Sequence, residues 1–277
     1  WFVACILLCL TGGWLYLRYT APVYNISSSV IIKDNDKNSK SGTGVADLED
    51  LGFYSSISNF DNEVEILHSR TLIKKVVEEL DLYINYTAKG SFHKIELYKT
   101  SPVKVWITPE EAEKLPGAAK LELTLLTGNK LNVKIWIGEQ EYTKQFDKLP
   151  ALLTTPSGTF SFTRTDSTDI KGQQTIMATV SSPRGVASDY SGALSIEPTS
   201  KTTTIAQISL KDTNKQRGAD FVNKLVEIYN RDANDDKNEV ATKTAQFINA
   251  RIEIINGELG TTEQALESFK RDAGLTD

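Results

Sequence analysis

The first seventeen residues, WFVACILLCLTGGWLYL, contain no charged side chain, and no other feature restricts this chain as strongly. As a helix the run covers about 25 Å at ~1.5 Å per residue, a little under the ~30 Å hydrocarbon core of a bilayer. Trp14, Tyr16 and Tyr19 with Arg18 crowd its end, where aromatic rings and a long cation suit a membrane interface. Leu17-Arg18-Tyr19 lacks the small-residue pattern at which a signal peptide is cleaved. Residues 1–20 are therefore expected to form a transmembrane helix, and the absent initiator methionine leads us to expect a start lost upstream. Both cysteines, Cys5 and Cys9, fall inside this run, which leaves the rest of the chain without a disulfide framework or a thiolate metal cluster.

Past Pro22 the period changes. Tyr24, Ile26, Ser28, Val30 and Ile32 alternate with mostly polar neighbours, the pattern of a half-buried strand. Lys33 to Gly44, KDNDKNSKSGTG, holds no apolar residue and predicts a solvated loop. Its Asp34-Asn35-Asp36 start is not a calcium loop, because Ser39 stands at the sixth position in place of glycine and Val45 at the twelfth in place of glutamate. Helical spacing begins near Asn59, breaks near Ser69 and resumes with Leu72, Ile73, Val76, Val77 and Leu80, with Ser69 as the N-cap of the second piece.

From Leu82 to about Ser181 the signals are those of strands. Val103, Val105 and Ile107 alternate, as do Leu121 to Leu125 and Leu131 to Ile137, and Gly128-Asn129 between the last two suits a tight hairpin. Further short strands are expected at Thr159–Thr163, Gln174–Val180, Leu194–Glu197 and Thr203–Leu210. Asn214 onward predicts one long helix or two end to end. Phe221, Leu225 and Ile228 form one apolar stripe; Phe247, Ile248, Ile252, Ile255 and Leu259 form another. The polar patch Asn230–Asn238 between them marks a bend or a solvent-bridging section.

Lys and Arg total 31 against 36 Asp and Glu, a net charge of -5, so no general field draws the chain to nucleic acid, and none is expected as a partner. The sequence contains no phosphate-cradling G-x-x-x-x-G-K-[ST], no G-x-S-x-G elbow and no H-E-x-x-H. His68 beside Leu67 fits packing better than proton transfer, and His93 is the only other histidine. Asp232, Asp235 and Asp236 fit a solvated helical face, and the adjacent carboxylates Glu78-Glu79 and Glu110-Glu111 diverge on a helix. No catalytic, cofactor-binding or metal residue is assigned.

Two stretches carry a resemblance. Pro22-Val23-Tyr24 ahead of the alternating strand, and Asn62-Glu63-Val64-Glu65-Ile66-Leu67-His68-Ser69-Arg70 continuing to Leu82, resemble the Wzz-type chain-length determinant domain of polysaccharide co-polymerases. Within them Pro22, Tyr24, Asn62, Glu63, Ile66, Leu67, Ser69 and Arg70 match the family motif. Ile208-Ser209-Leu210, Asp212, Ala219, Asn223-Lys224-Leu225, Tyr229, Phe247-Ile248, Arg251, Leu259, Glu263 and Phe269-Lys270 are similar to the strand and long helix of the same domain. The match is closest to the larger Bacteroidetes members, the exopolysaccharide tyrosine autokinases.

The resemblance implies an α+β fold: an N-terminal transmembrane helix, a periplasmic mixed sheet with helices and a β-rich insertion, and a long C-terminal helix. The expected spans are residues 1–20 for the membrane helix, 21–94 for the first part of the α/β domain, 95–181 for the insertion, 182–212 for the return strands and 213–277 for the helical region, truncated at its end. It also implies a place at the bacterial inner membrane with most of this chain in the periplasm, and control of the length or export of capsular or exopolysaccharide. The implied partners are a ring of identical copies, a polysaccharide polymerase, an outer-membrane export protein and the polysaccharide itself. A tyrosine kinase domain beyond Asp277 would use ATP and Mg; no cofactor is expected before it. The stripe Phe247, Ile248, Ile252, Ile255 and Leu259 is the expected interface of the ring. From the residues alone, a periplasmic adaptor of an efflux or secretion system and the sensor ectodomain of a membrane receptor stay open.

Overall fold

Period-two alternation becomes strands whose buried sides follow the sequence pattern. A computed structural model describes residues 1–20, 22–32, 60–89, 94–126, 130–165, 174–200 and 203–272, without the side chains at 17–19, 89, 94, 174 and 272. The loop Lys33–Gly44, His93 and the Gly128-Asn129 turn lie outside these residues. The chain divides into two units, Trp1–Ile228 and Tyr229–Asp277.

In the first unit, helix α1 (Phe2–Tyr19) precedes strand β1 (Tyr24–Ile31). Residues 60–67 form α2, and α3 (Arg70–Glu79) follows at once. Then come β2 (Ile84–Lys89), β3 (Lys94–Glu96), a 3-10 turn (Tyr98–Thr100), β4 (Val103–Trp106), α4 (Pro109–Glu113), β5 (Ala119–Leu125), β6 (Leu131–Ile137), β7 (Gln140–Phe146), β8 (Ala151–Thr155), β9 (Gly158–Arg164), β10 (Gln174–Val180), α5 (Pro183–Ala193), β11 (Leu194–Pro198) and β12 (Ile205–Asp212). Helix α6 is assigned over Lys215–Asp272, unbroken through the polar patch Asn230–Asn238.

Among the described residues three sheets result, with orders β1-β12-β11, β3-β2-β10-β5-β6-β7 and β4-β9-β8. Among the described residues every pairing is antiparallel, so the expected mixed sheet is corrected. The reason is that neighbouring strands here meet in opposed directions, through tight turns or long returns, with no helical crossover joining parallel partners.

The expected transmembrane helix is also corrected. Among the described residues no helix is long and apolar enough to cross a membrane. Helix α1 forms, but its unbroken apolar run ends at Leu10, about half of the ~20 residues a span requires. Thr11, Gly12 and Gly13 then interrupt it, and the Thr11 hydroxyl donates back to the carbonyls of Leu7 and Leu8.

The core is built from matched strand faces. Leu121, Leu123 and Leu125 of β5 stand opposite Ile135, Val133 and Leu131 of β6, all buried. In the third sheet Val105 faces Phe162, both fully buried. Two phenols tie the sheets together. The Tyr86 hydroxyl on β2 accepts from the Val105 N–H at 2.8 Å and donates to the Val105 carbonyl at 3.1 Å, while the Tyr83 hydroxyl donates to the Ile107 carbonyl at 2.8 Å. Beside the sheets, α3 buries Leu72, Ile73, Val76 and Val77 at helical spacing.

Among the described residues three helices start on a hydroxyl cap. The Ser69 hydroxyl accepts from the Leu72 N–H, as its N-cap role requires, and Thr108-Pro109 and Ser182-Pro183 begin α4 and α5 with a hydroxyl cap before a first-turn proline. Helix α3 ends in a Schellman motif: the Leu82 N–H reaches the Val77 carbonyl, the Asp81 N–H reaches that of Glu78, and Asp81 takes a φ of 53°.

Candidate functional site

Strand β12 buries Ala206, Ile208, Leu210 and Asp212 on one face. A carboxylate in that row needs partners, since burying an unpaired charge is costly. The next five residues supply them. Arg217 donates to both Asp212 oxygens, Nε at 3.0 Å and Nη2 at 2.7 Å, and the Asn214 N–H adds a third bond at 2.7 Å. The Asn214 side chain meanwhile accepts from the N–H groups of Gln216 and Arg217, capping α6.

This clamp reaches across to the second sheet. Arg217 Nη2 lies 2.8 Å from Glu96 on the edge strand β3, and the Thr213 hydroxyl donates to the same carboxylate at 3.0 Å. One helical turn on, Asp220 accepts from the Tyr98 hydroxyl at 3.0 Å and from Lys99 at 2.6 Å. The Tyr190 ring of α5 stacks on Phe221, centroids 4.4 Å apart and 9° from parallel. Gly218 allows the approach, because a Cβ there would fall 2.6 Å from Ile26 Cδ1 of β1 and 3.2 Å from Asp212 Cβ. The start of α6 is thus seated on β1 and β12.

Electrostatics fix the charges in place. Burial disfavours the Arg217 cation, but the hydrogen bonds to Asp212 and the carboxylate charges of Asp212 and Glu96 outweigh it and raise its pKa further. Burial pushes the Tyr190 phenol up, opposed by Arg217 and helped by Asp212 and Glu96. Tyr98 is raised by burial and by its bond to Asp220. Both phenols therefore stay protonated and act as donors. A cleft of about 500 Å³ opens beside the clamp, lined among others by Tyr83, Asn85, Ser181, Tyr190, Lys211 and Arg217. The arrangement holds elements together and presents hydrogen-bonding groups. Among the described residues no group of three or more His, Cys, Asp or Glu is placed to hold a metal ion.

The motif residues fall on two edges of one sheet. Pro22 precedes β1 and Tyr24 opens it, opposite Asp212 and so beside the clamp. Asn62, Glu63, Ile66, Leu67, Ser69 and Arg70 form the α2–α3 corner. There Leu67 is fully buried, Ile66 exposed, and the His68 Nε2 lies 3.3 Å from the carbonyl of Leu194 on β11, at the opposite edge from β1. The structure does not bring the two segments together. Sequence reasoning singled out neither Arg217 nor Glu96. The available signal was Asp212 in a buried register position, which calls for a cation close by.

In the second unit Phe247, Ile248, Ile252, Ile255 and Leu259 are all exposed, by 49 to 71%. The helix resolves this stripe into two rows. Ala245, Ile248, Ile252, Ile255, Leu259, Thr262, Leu266 and Phe269 recur at alternating steps of three and four, the seam of a coiled coil, whereas Phe247 belongs to a flanking row with Val240 and Ile254 at steps of seven.

No protein-family profile matches the chain. The chain is similar to the tyrosine-protein kinase wzc of Salmonella typhi, 22% identical over 271 residues that make up 95% of this chain and 36% of that protein. It is 21% identical over 271 residues, with the same shares of each chain, to the tyrosine-protein kinase wzc of Salmonella typhimurium strain LT2. The chain thus spans little more than a third of the length of these curated relatives.

Proposed function

We propose that this chain is the periplasmic, chain-length-determining region of a bacterial polysaccharide co-polymerase, and that the longer protein carries a tyrosine autokinase using ATP and Mg. The observation that carries this reading is the similarity to tyrosine-protein kinase wzc along 95% of the chain. The region acts by assembly. Identical copies associate side by side through their helical parts, in contact with a polysaccharide polymerase and an outer-membrane export protein. The exposed seam through Ile248, Ile252, Ile255 and Leu259 supports such an interface, since an apolar stripe at coiled-coil spacing is stable when a partner covers it.

Two experiments in the native host test this. Deleting the gene should change the amount or length of capsular or exopolysaccharide on a gel; an unchanged polymer would refute the function. Ile255→Asp should lower the mass of the full-length protein by light scattering and shift polymer length, whereas Leu152→Asp, at an exposed position on β8, should do neither. Equal effects from both would remove the seam from the interface.

A further inference from the structure

Tyr98 and Asp81 are the described non-glycine residues with a left-handed backbone, at φ 38° and 53°, and both line one cleft. Such conformations are disfavoured for residues with a side chain and collect where a site must be held in shape. The cleft encloses about 330 Å³ between the end of α3, strand β2 and the 3-10 turn, and Ser101 just after that turn and Lys104 on β4 complete it. That volume is near the lower end of ligand pockets, ~300–1,000 Å³.

We propose that this cleft binds a short, uncharged stretch of saccharide. The lining sets two lysines, Lys99 and Lys104, against two carboxylates, Glu79 and Asp81, so it has no net field to favour a free anion or cation. It does mix strong donors with strong acceptors, which suits sugar hydroxyls, since each of these both donates and accepts. The Asp81–Lys104 pair is 2.9 Å apart on the rim, and Lys104 spends one of three ammonium donors on it. The Tyr98 ring supplies an apolar wall. Its hydroxyl is held by Asp220, and the Lys99 ammonium lies 5.4 Å from its centroid.

Asp81 carries the most weight. It occupies the C′ position after α3, where glycine is the usual residue and carries no left-handed penalty. An aspartate here gives up backbone ease to present a carboxylate at the cleft. The choice of saccharide over another polyol rests on the proposed co-polymerase function, because such a protein meets polymer.

The test uses the full chain and oligosaccharides cut from the host's own exopolysaccharide, followed by saturation-transfer NMR. Transfer to sugar protons is expected for the unaltered protein, with a loss of at least tenfold in affinity for Asp81→Gly and for Lys104→Met. Asp81→Gly should at the same time keep or raise the unfolding midpoint, so lost binding would not reflect lost folding. Asn85→Ala, in the neighbouring cleft, should bind normally. If no oligosaccharide gives transfer, or if Asp81→Gly and Lys104→Met bind like the unaltered protein, the proposal is overturned. Polymer length in the gene-deletion strain is read separately, so a failed saccharide site and a failed co-polymerase function give different results.

Discussion

Replacing Arg217 with methionine should destabilise the first unit by about 3 kcal/mol, because removing one partner of a buried ion pair strands the other, typically at ~3–5 kcal/mol. Asp212 is 3% exposed and Arg217 16%, so water cannot replace the guanidinium at that carboxylate. The lower end of the range applies because the Asn214 N–H still bonds Asp212 at 2.7 Å. Methionine keeps most of the arginine stem, which makes the cavity contribution small. Glu96 loses a partner too, but at 26% exposure this adds at most about 1 kcal/mol. The assay is urea unfolding followed by the fluorescence of Trp106 and Trp136, both in the sheets. The double variant Asp212→Leu, Arg217→Met supplies the control. Leucine continues the apolar row of Ile208 and Leu210, so the double variant should recover to within about 1 kcal/mol of the unaltered protein. A loss below about 1 kcal/mol for Arg217→Met, or a double variant less stable than that single one, would refute the reasoning.

Ser69→Ala removes the acceptor for the Leu72 N–H and should cost about 1 kcal/mol in the same urea assay. Tyr86→Phe orphans both the buried N–H and the buried carbonyl of Val105 and should cost about 1–3 kcal/mol. Burial holds Tyr83, Tyr86 and Tyr190 above the ordinary phenol value of 10.0. Their contribution is therefore complete below that value and is lost as pH rises toward the elevated folded values, while the unfolded chain ionises first. The urea midpoint should be flat to about pH 9.5 and fall beyond it, less steeply in Tyr86→Phe.

Strands with a clean period of two were legible in the sequence, because one face turned to the interior imposes that period: β1, β4, β5 and β6 stand where alternation placed them, and β9, β10, β11 and β12 stand at the short strands expected at 159–163, 174–180, 194–197 and 203–210. Strand β7, QEYTKQF, was not. It lies at the edge of its sheet with both faces largely exposed, so it carries no apolar register. Strand β8 was missed because its outward residues, Leu152 and Thr154, blur the alternation. Helix α5, rich in serine and glycine, gave little periodic signal beyond Ala187 and its Ser182-Pro183 start. The apolar start gave a helix, as expected, but charge-free sequence did not distinguish a long span from a run broken at Thr11-Gly12-Gly13. The Arg217 clamp was hidden for a different reason. Asp212, Asn214 and Arg217 are close in sequence, but Glu96 and Tyr98 join them only through pairing of distant strands, which local patterns do not encode.

The pairing of β1 with β12 has a consequence for synthesis. Tyr24 leaves the ribosome early, but its partner Asp212 emerges only after both other sheets have been made. Those sheets also need long returns, β10 to β2 and β5 and β9 to β4, but all their strands precede β12, while β1 must wait for the strand pairing most distant in sequence among the described residues. Loop closure over such separations is slow. Until β12 arrives, β1 offers an unpaired backbone edge that invites pairing with other chains. Its centre, Ser27-Ser28-Ser29, keeps that waiting edge polar. The last step of folding is then the docking of β12 and the start of α6 onto β1, so the slowest phase of refolding should report Gly218 settling against Ile26.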